Sequence, residues 1–172
     1  MTKIGELTVR EVRRMVASLT MRDCMKREVV TVQPTASVRE AAALLVEKQV
    51  GTLPVVNAAG TLLGVTSLTR IIQLLLPDFV ALLQNIDFIK DYGALKTPSR
   101  EEWERVAELS VADIMDGPIV VEEHCPLIMA LSVMEKHNLR DLPVVREGRL
   151  VGIASRVDIG RTFLAQWLSA NT

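Results

Sequence analysis

An internal repeat restricts the fold of this sequence more than any other feature. Three short motifs occur twice in the same order: Asp-x-Met, then Leu-Pro-Val-Val, then a glycine motif that ends in Ser. The two copies of each motif are separated by about 90 residues, and motifs that keep their order at one spacing indicate a duplicated structural unit. The copies lie at residues 23–25 and 113–115, at 53–56 and 142–145, and at 63–67 and 151–155.

Each repeat contains the same order of predicted elements, β-α-β-β-α. The first helix has apolar residues at helical spacing, and in the first repeat Ser37 and Glu40 form the pattern of a capping box at its start. The next two strands are joined by a tight turn that contains Gly60 or Gly148, and a last helix begins near Leu68 or Arg156. The predicted strands are residues 29–32, 53–56 and 62–66 in the first repeat and 119–121, 142–145 and 150–154 in the second.

One repeat of this size buries too little apolar surface to be stable alone. The sequence therefore predicts an α/β (α+β) fold in which two β-α-β-β-α units pack sheet to sheet and share one core. Extra helices precede the first repeat and separate the two, including a short exposed helix at 99–109 that begins at Ser99 and carries Trp103. The expected divisions are an amphipathic helix at 1–19, the repeats at 20–75 and 111–166, a helical insertion and linker at 76–110, and a tail at 167–172.

The composition excludes several classes of protein. Hydrophobic residues make up 49% of the chain and charged residues 24%, which is typical of a packed globular protein rather than a disordered one. The net charge of −1 gives no basic excess for nucleic-acid binding. No apolar run reaches about 18 residues and the first residues lack the pattern of a signal peptide, so we expect a cytoplasmic protein without a membrane segment.

The repeated motifs resemble those of the CBS domain, the cystathionine-β-synthase domain. The resemblance covers about two thirds of the chain and includes Asp-x-Met, Leu-Pro-Val-Val and the pattern Gly-h-h-Ser-x-x-Asp, where h is an apolar residue. It implies a tandem CBS pair in which two β-α-β-β-α units are related by pseudo-twofold symmetry. It also implies that the pairs form homodimers, bind an adenosyl ligand in clefts of the pair and regulate an effector protein, without catalysis or an obligatory cofactor. AMP, ADP, ATP and S-adenosylmethionine are the ligands that it implies.

The second repeat carries side chains suited to a ribose and a phosphate. Ser155 falls at the predicted start of a helix, where backbone N–H groups and the helix dipole favour an anion. Asp158 lies about one turn further, and a carboxylate accepts hydrogen bonds from ribose hydroxyls. Arg156 or Arg140 can neutralise a phosphate. Spacing alone equally fits a helix cap followed by a first-turn acid, and the repeated family pattern favours ligand contact.

The resemblance also implies which residues lie opposite Asp158. In the family the adenine lies against the first strand of the other repeat, which places Lys26 and Val30 beside this helix. We therefore expect the phosphate near Ser155, Arg140 and Lys26, and the adenine against Val30.

The equivalent cleft of the first repeat departs from the family pattern. Ser67 is kept, but Arg70 stands at the position of the acid, and arginine has donors only. On the facing strand, Asp116 precedes Val120 and would repel a phosphate. We predict one nucleotide per chain, bound at Asp158; the alternative is that Arg70 contacts a phosphate and this cleft holds a differently placed anion.

Other polar residues support no separate chemistry. Cys24, Cys125, His124 and His137 lack the paired spacing of metal ligands, and no nucleophile or phosphate-loop motif is present. We expect the cysteines to be small residues on the core side of their elements, an exposed histidine at a helix end at position 137, and no enzymatic activity. The apolar insertion at 71–96 is expected in the core or a dimer interface. The competing hypothesis is a purely structural module that dimerises or docks a partner and binds no ligand.

Overall fold

The computed structural model describes residues 19–75 and 98–169. These residues form two compact units. One, which we call the Asp158 unit, contains residues 19–29 and 119–169; the other, the Arg70 unit, contains residues 30–75 and 98–118. Each unit thus takes its Asp-x-Met segment from the opposite repeat.

The order of elements follows the predicted β-α-β-β-α pattern in the second repeat, whereas the first repeat has the predicted helices and hairpin but no strand at 29–32; short additional helices are present as well. The helices are α1 Met21–Cys24, α2 Val38–Glu47, α3 Leu68–Leu75, α4 Arg100–Glu108, α5 Val111–Ile114, α6 Leu127–Lys136 and α7 Arg156–Ser169. The strands are β1 Thr52–Val56, β2 Leu62–Ser67, β3 Val121–Glu122, β4 Asp141–Arg146 and β5 Arg149–Ser155.

Reciprocal capping boxes begin the helices for which the sequence predicts them. Ser37 Oγ accepts a hydrogen bond from the Glu40 N–H at 3.2 Å, and the Glu40 carboxylate accepts one from the Ser37 N–H at 2.7 Å. Ser99 and Glu102 do the same at the start of α4. These bonds satisfy backbone donors that have no partner within the helix. The predicted helix with the exposed Trp103 is therefore confirmed.

Both predicted hairpins are confirmed, and the strand before each is shorter than predicted. Strands β1 and β2 pair antiparallel, as do β4 and β5. In the Asp158 unit the strand before the hairpin consists of Val121 and Glu122, which pair in parallel with β4. In the Arg70 unit Val32 forms a single bridge to Val55, and the rest of the predicted strand at 29–32 does not pair.

Aliphatic side chains and methionines form a separate core in each unit, so the prediction of one shared core is wrong for the described residues. In the Asp158 unit the hairpin packs under α6 and α7, and Cys24 and Cys125 are half-buried against this core, as expected. The core of the Asp158 unit includes Met21, Met25, Leu127, Met134, Leu142, Val144 and Ile159. The core of the Arg70 unit includes Val38, Ala41, Leu45, Leu53, Val55, Ile71, Val111 and Ile114.

Several predictions concern segments outside the described residues. They are the amphipathic helix over 1–18, the part of the apolar insertion from residue 76 onward, and the last residues, 170–172. Within the described residues, no helix has both the length and the apolar character needed to span a membrane.

Candidate functional site

In the Asp158 unit the Asp-x-Met segment crosses strand β5, and this crossing fixes the main chain of Lys26. The Lys26 N–H donates to the Ile153 carbonyl at 2.9 Å, and the Ile153 N–H donates to the Lys26 carbonyl at 3.0 Å. Gly152 makes the approach possible. A Cβ at this position would lie 2.6 Å from the Met25 sulfur and 3.0 Å from the Lys26 carbonyl oxygen, so a larger residue would displace the segment.

Ser155 orients the Asp158 carboxylate at the start of α7. The Ser155 N–H and O–H both donate to Asp158 Oδ2, at 2.9 Å and 2.6 Å, while the Asp158 N–H donates to Ser155 Oγ at 3.1 Å. The other carboxylate oxygen, Oδ1, lies 3.3 Å from Lys26 Nζ. The structure therefore brings together Lys26, Ser155 and Asp158, as the sequence predicts for this site.

The environment of Asp158 keeps the carboxylate ionised. Burial acts to raise the pKa of Asp158, but the hydrogen bonds from Ser155 and the charge of Lys26 outweigh it and hold this pKa below its usual value. The neighbouring Cys24 responds to the same charge. Burial first, and then the negative charges of Asp158 and Asp23, raise the pKa of the Cys24 thiol to about 11, so this thiol stays protonated at neutral pH.

Arg156 and Arg140, both predicted to contact phosphate, have different surroundings. Arg156 donates from Nε to the Leu139 carbonyl at 2.9 Å and from Nη2 to the Met134 carbonyl at 3.0 Å, and its Nη1 lies 2.9 Å from the Glu135 carboxylate. These bonds fasten the end of α6 to the start of α7, which favours a structural role for Arg156.

Arg140 remains available for an anionic ligand. Its carbonyl accepts a hydrogen bond from the Arg156 N–H at 3.2 Å, which places the Arg140 main chain at the beginning of α7. Its side chain is exposed and makes no hydrogen bond or ion pair with the residues that the structure describes. Val30, the predicted adenine contact, belongs to the Arg70 unit and is half-buried against that core.

The Arg70 unit contains the same backbone arrangement with other side chains. Asp116 and Val65 exchange two main-chain hydrogen bonds, at 2.9 and 3.0 Å, as Lys26 and Ile153 do. The Arg70 N–H donates to Ser67 Oγ at 3.1 Å, and Arg70 Nε donates to the Ile114 carbonyl at 2.9 Å. The structure thus brings together Ser67, Arg70 and Asp116. Val120, the fourth residue predicted for this cleft, is half-buried in the Asp158 unit.

Sequence reasoning did not identify the ion pair that supports the Lys26 segment. Glu123 is buried, and its two carboxylate oxygens accept hydrogen bonds from Arg146 Nε and Nη2, each at 2.6 Å. The Glu123 carbonyl accepts a hydrogen bond from the Arg22 N–H at 2.9 Å and so holds α1, which leads into Lys26. The register that pairs Glu122 with Val145 also makes Glu123 and Arg146 neighbours across the sheet. This register joins residues far apart in sequence, so local sequence patterns do not predict it.

The two histidines lie in ordinary structural positions. His124 Nε2 is 3.4 Å from the Glu123 carboxylate, and His137 ends α6, as the sequence predicts. Within residues 19–75 and 98–169, no three His, Cys, Asp or Glu side chains are grouped in a way that would hold a metal ion.

Comparison with known proteins identifies the two repeats. The family model of the CBS domain matches residues 21–77 and 111–164. The CBS domain-containing protein YhcV of Bacillus subtilis is 29% identical over 140 residues, which are 81% of each chain. The chloroplastic CBS domain-containing protein CBSX2 of Arabidopsis thaliana is 32% identical over 144 residues, 77% of this chain and 58% of that protein.

Two solved structures of the same type have bound ligands. The crystal structure of CBSX2 in complex with AMP matches with a TM-score of 0.63 at 31% identity, over 85% of this chain and 96% of that one. The CBS domain pair of protein MJ0100, in complex with 5′-methylthioadenosine and S-adenosyl-L-methionine, matches with a TM-score of 0.60 at 25% identity, over 84% and 99% of the two chains.

Some relatives are much longer than this chain. A homoserine O-acetyltransferase of Methanocorpusculum labreanum is 29% identical over 133 residues, but the match spans only 22% of that protein. The match to CBSX2 likewise spans only 58% of its length.

Proposed function

Because this chain belongs to the CBS domain family, we propose that it is a regulatory module that binds an adenosyl ligand at Asp158 and catalyses no reaction. The observation that carries the proposal is the Asp158 carboxylate, which is ionised, held by Ser155 at the start of a fourteen-residue helix and directed with Oδ1 towards Lys26. An oriented carboxylate of this kind accepts ribose hydroxyls, and the start of a helix favours a phosphate.

The hydrogen bonds of Asp158 define how a ribose would bind. Oδ2 already accepts two hydrogen bonds from Ser155, and a carboxylate oxygen has two lone pairs. The ribose hydroxyls would therefore donate to Oδ1, rather than one to each oxygen. The phosphate would lie near Ser155, Lys26 and Arg140, with Arg156 holding the two helices in place.

The ligands of related proteins support the adenosyl class. CBSX2 was crystallised with AMP, and the MJ0100 pair with 5′-methylthioadenosine and S-adenosyl-L-methionine. These molecules share an adenosine group and differ in the substituent at its 5′ position. By analogy, AMP, ADP, ATP and S-adenosylmethionine are the candidates for this chain, with the ligand controlling an effector protein through a change in shape or assembly.

The assembly that we propose is a cytoplasmic homodimer. Helices α6 and α7 expose the apolar side chains of Ile128, Met129 and Leu164 on the Asp158 unit, and an interface would bury such side chains. The apolar insertion at 71–96 and the predicted helix at 1–19 are further candidates for the contact. Light scattering that gave a monomer mass at micromolar concentration would contradict this part of the proposal.

Thermal unfolding with a panel of ligands separates the sensor from a purely structural module. A ligand that binds only the folded state raises the melting temperature in proportion to the logarithm of its concentration above Kd. We expect at least one of AMP, ADP, ATP and S-adenosylmethionine to do so for the full chain, and Asp158→Asn to remove the effect. An unchanged melting temperature with all four ligands would favour the structural module.

A further inference from the structure

The ion pair between Lys26 and Asp158 occupies the oxygen that a ribose needs. Asp158 Oδ2 is taken by two hydrogen bonds from Ser155, and Lys26 Nζ lies 3.3 Å from Oδ1. The two partners are unequally exposed, since 12% of the Asp158 side chain and 66% of the Lys26 side chain are accessible. In the free protein a mobile, solvated cation therefore covers the acceptor of a fixed, largely buried anion.

Lys26 is fixed by its main chain and free to move at its ammonium group. The hydrogen bonds with Ile153 and the close approach at Gly152 hold its backbone against β5. Within the described part of the chain, Asp158 is the partner with which its ammonium forms an ion pair. The four-carbon stem of lysine has several rotatable bonds, so the ammonium can leave Oδ1 while the segment stays in place.

Ligands with different charges at the 5′ position face different costs at this pair. A ribose that binds Oδ1 separates Lys26 from its counterion or shares it, and an uncharged ligand offers no replacement. In the proposed binding mode, a 5′-phosphate supplies a new anion for the same ammonium at the start of α7, where the Arg156 N–H donates to the Arg140 carbonyl. A sulfonium at the 5′ position adds a second positive charge and is repelled.

We propose that Lys26 determines the specificity of this site by charge, so that it selects adenosyl ligands with an anionic 5′ group over uncharged and cationic ones. In this mechanism Lys26 moves from Asp158 Oδ1 to the phosphate as the ribose takes its place. The inference rests on the proposed function and goes further, because it names the ligand class as adenine nucleotides.

Calorimetric titration of the full chain with AMP, adenosine and S-adenosylmethionine tests the proposal, since the first two differ only in the phosphate. For the wild type we expect AMP to bind at least about tenfold more tightly than either other ligand, as for one charge-assisted hydrogen bond. In Lys26→Met the preference for AMP over adenosine should fall by about tenfold, for two reasons. AMP loses its ionic contact with Lys26. Adenosine gains slightly, because its ribose no longer has to displace Lys26 from Asp158 Oδ1.

Arg27→Met is the matched control, because Arg27 is the next residue, is exposed and loses the same charge. We expect this variant to keep the wild-type ratio of affinities for AMP and adenosine. The melting temperature of each variant, measured without ligand, reports whether it is folded.

The possible results separate this proposal from the proposed function. Equal affinities of the wild type for AMP and adenosine, or an unchanged ratio in Lys26→Met, would overturn charge selection by Lys26 while leaving ligand binding intact. An equal loss of the preference for AMP in Lys26→Met and in Arg27→Met would assign that preference to the overall charge of the protein, and would also overturn charge selection by Lys26. Failure of AMP to bind the wild type would overturn charge selection by Lys26, and the proposed function would fall as well only if ADP, ATP and S-adenosylmethionine also failed to bind.

Discussion

Arg70 and Asp158 occupy equivalent positions in the two units and carry opposite charges. Each lies three residues after a serine at the start of a helix, and each donates its N–H to that serine Oγ at 3.1 Å. The charges are also reversed in the segment that follows each Asp-x-Met motif and pairs with the neighbouring strand. Asp116 lies beside β2, and Lys26 lies beside β5. In the Asp158 unit the two side chains form an ion pair, whereas in the Arg70 unit Arg70 Nε donates to the Ile114 carbonyl. At this helix position, the Asp158 unit therefore offers an acceptor to a ribose and the Arg70 unit offers only donors.

This difference predicts one adenine nucleotide per chain. Calorimetry should give a stoichiometry near one for the wild type, and Asp158→Ala should lower AMP affinity by about tenfold or more, since it removes hydrogen bonds to a charged group. The matched variant Arg70→Gln should keep both the stoichiometry and the affinity. Two equivalent sites per chain, or wild-type affinity in Asp158→Ala, would contradict the assignment of the ligand to Asp158.

Three glycine substitutions should have graded effects on stability. Gly64→Ala would place its Cβ 2.6 Å from the Asp116 carbonyl oxygen, whereas in Gly152→Ala the shortest contact, also 2.6 Å, is with the flexible Met25 sulfur. We expect Gly64→Ala to cost about 1–3 kcal/mol and Gly152→Ala less, because a side chain moves more easily than a backbone.

Gly160→Ala is the control for these variants. Gly160 lies inside α7 and nothing comes within 4 Å of a Cβ at this position, so alanine should stabilise the helix by up to about 1 kcal/mol. Urea unfolding of the three variants measures the order. A Gly64→Ala protein as stable as the wild type would show that the main chain at Asp116 can shift away from β2 without loss of stability.

Local patterns predicted those parts of the fold that depend on neighbouring residues. The capping boxes at Ser37 and Ser99 and the hairpins with their glycine turns are encoded within a few positions, and all are confirmed. The exchange of Asp-x-Met segments between repeats depends instead on pairings such as Lys26 with Ile153, which are far apart in sequence. Spacing within one repeat carries no information about such pairings.

Local patterns likewise predict only those residues of the site that are close together in sequence. Ser155 and Asp158 share one helix start, so their proximity follows from spacing, and the resemblance to a family supplied Lys26. Arg156 has the charge expected of a phosphate ligand, but its bonds to the end of α6 depend on how two helices pack. Charge alone does not distinguish a residue that binds a ligand from one that joins helices.

The pair of Glu123 and Arg146 should make stability depend on pH. The hydrogen bonds from Arg146, opposed by burial, lower the pKa of Glu123 in the folded state. The pair therefore stabilises the protein fully above the unfolded pKa of about 4.3, and this contribution is lost as the pH falls through the lower folded pKa. We expect Arg146→Met to lower the melting temperature at pH 7 and to differ less from the wild type at pH 3.

Arg149→Met is the control for Arg146→Met, because Arg149 is an exposed arginine at the start of the next strand. It should behave like the wild type at both pH values. The same deficit in Arg146→Met at pH 7 and at pH 3 would mean that the Arg146 side chain stabilises by packing and not through the Glu123 carboxylate.

Thr66 should be a position at which a substitution stabilises the protein. It is 1% exposed on the core face of β2, and its hydroxyl has no hydrogen-bond partner among the described residues. In the Asp158 unit the equivalent position is Ala154, which has no polar atom in its side chain. Thr66→Val keeps the shape of the side chain and removes an unsatisfied hydroxyl, so we expect it to raise the free energy of unfolding by about 1 kcal/mol.

The same substitution at the exposed Thr69 is the control, and it should change the free energy of unfolding by no more than about 0.5 kcal/mol. Denaturant unfolding of both variants decides the matter, since a Thr66→Val protein less stable than the wild type would mean that this hydroxyl has a partner in solution.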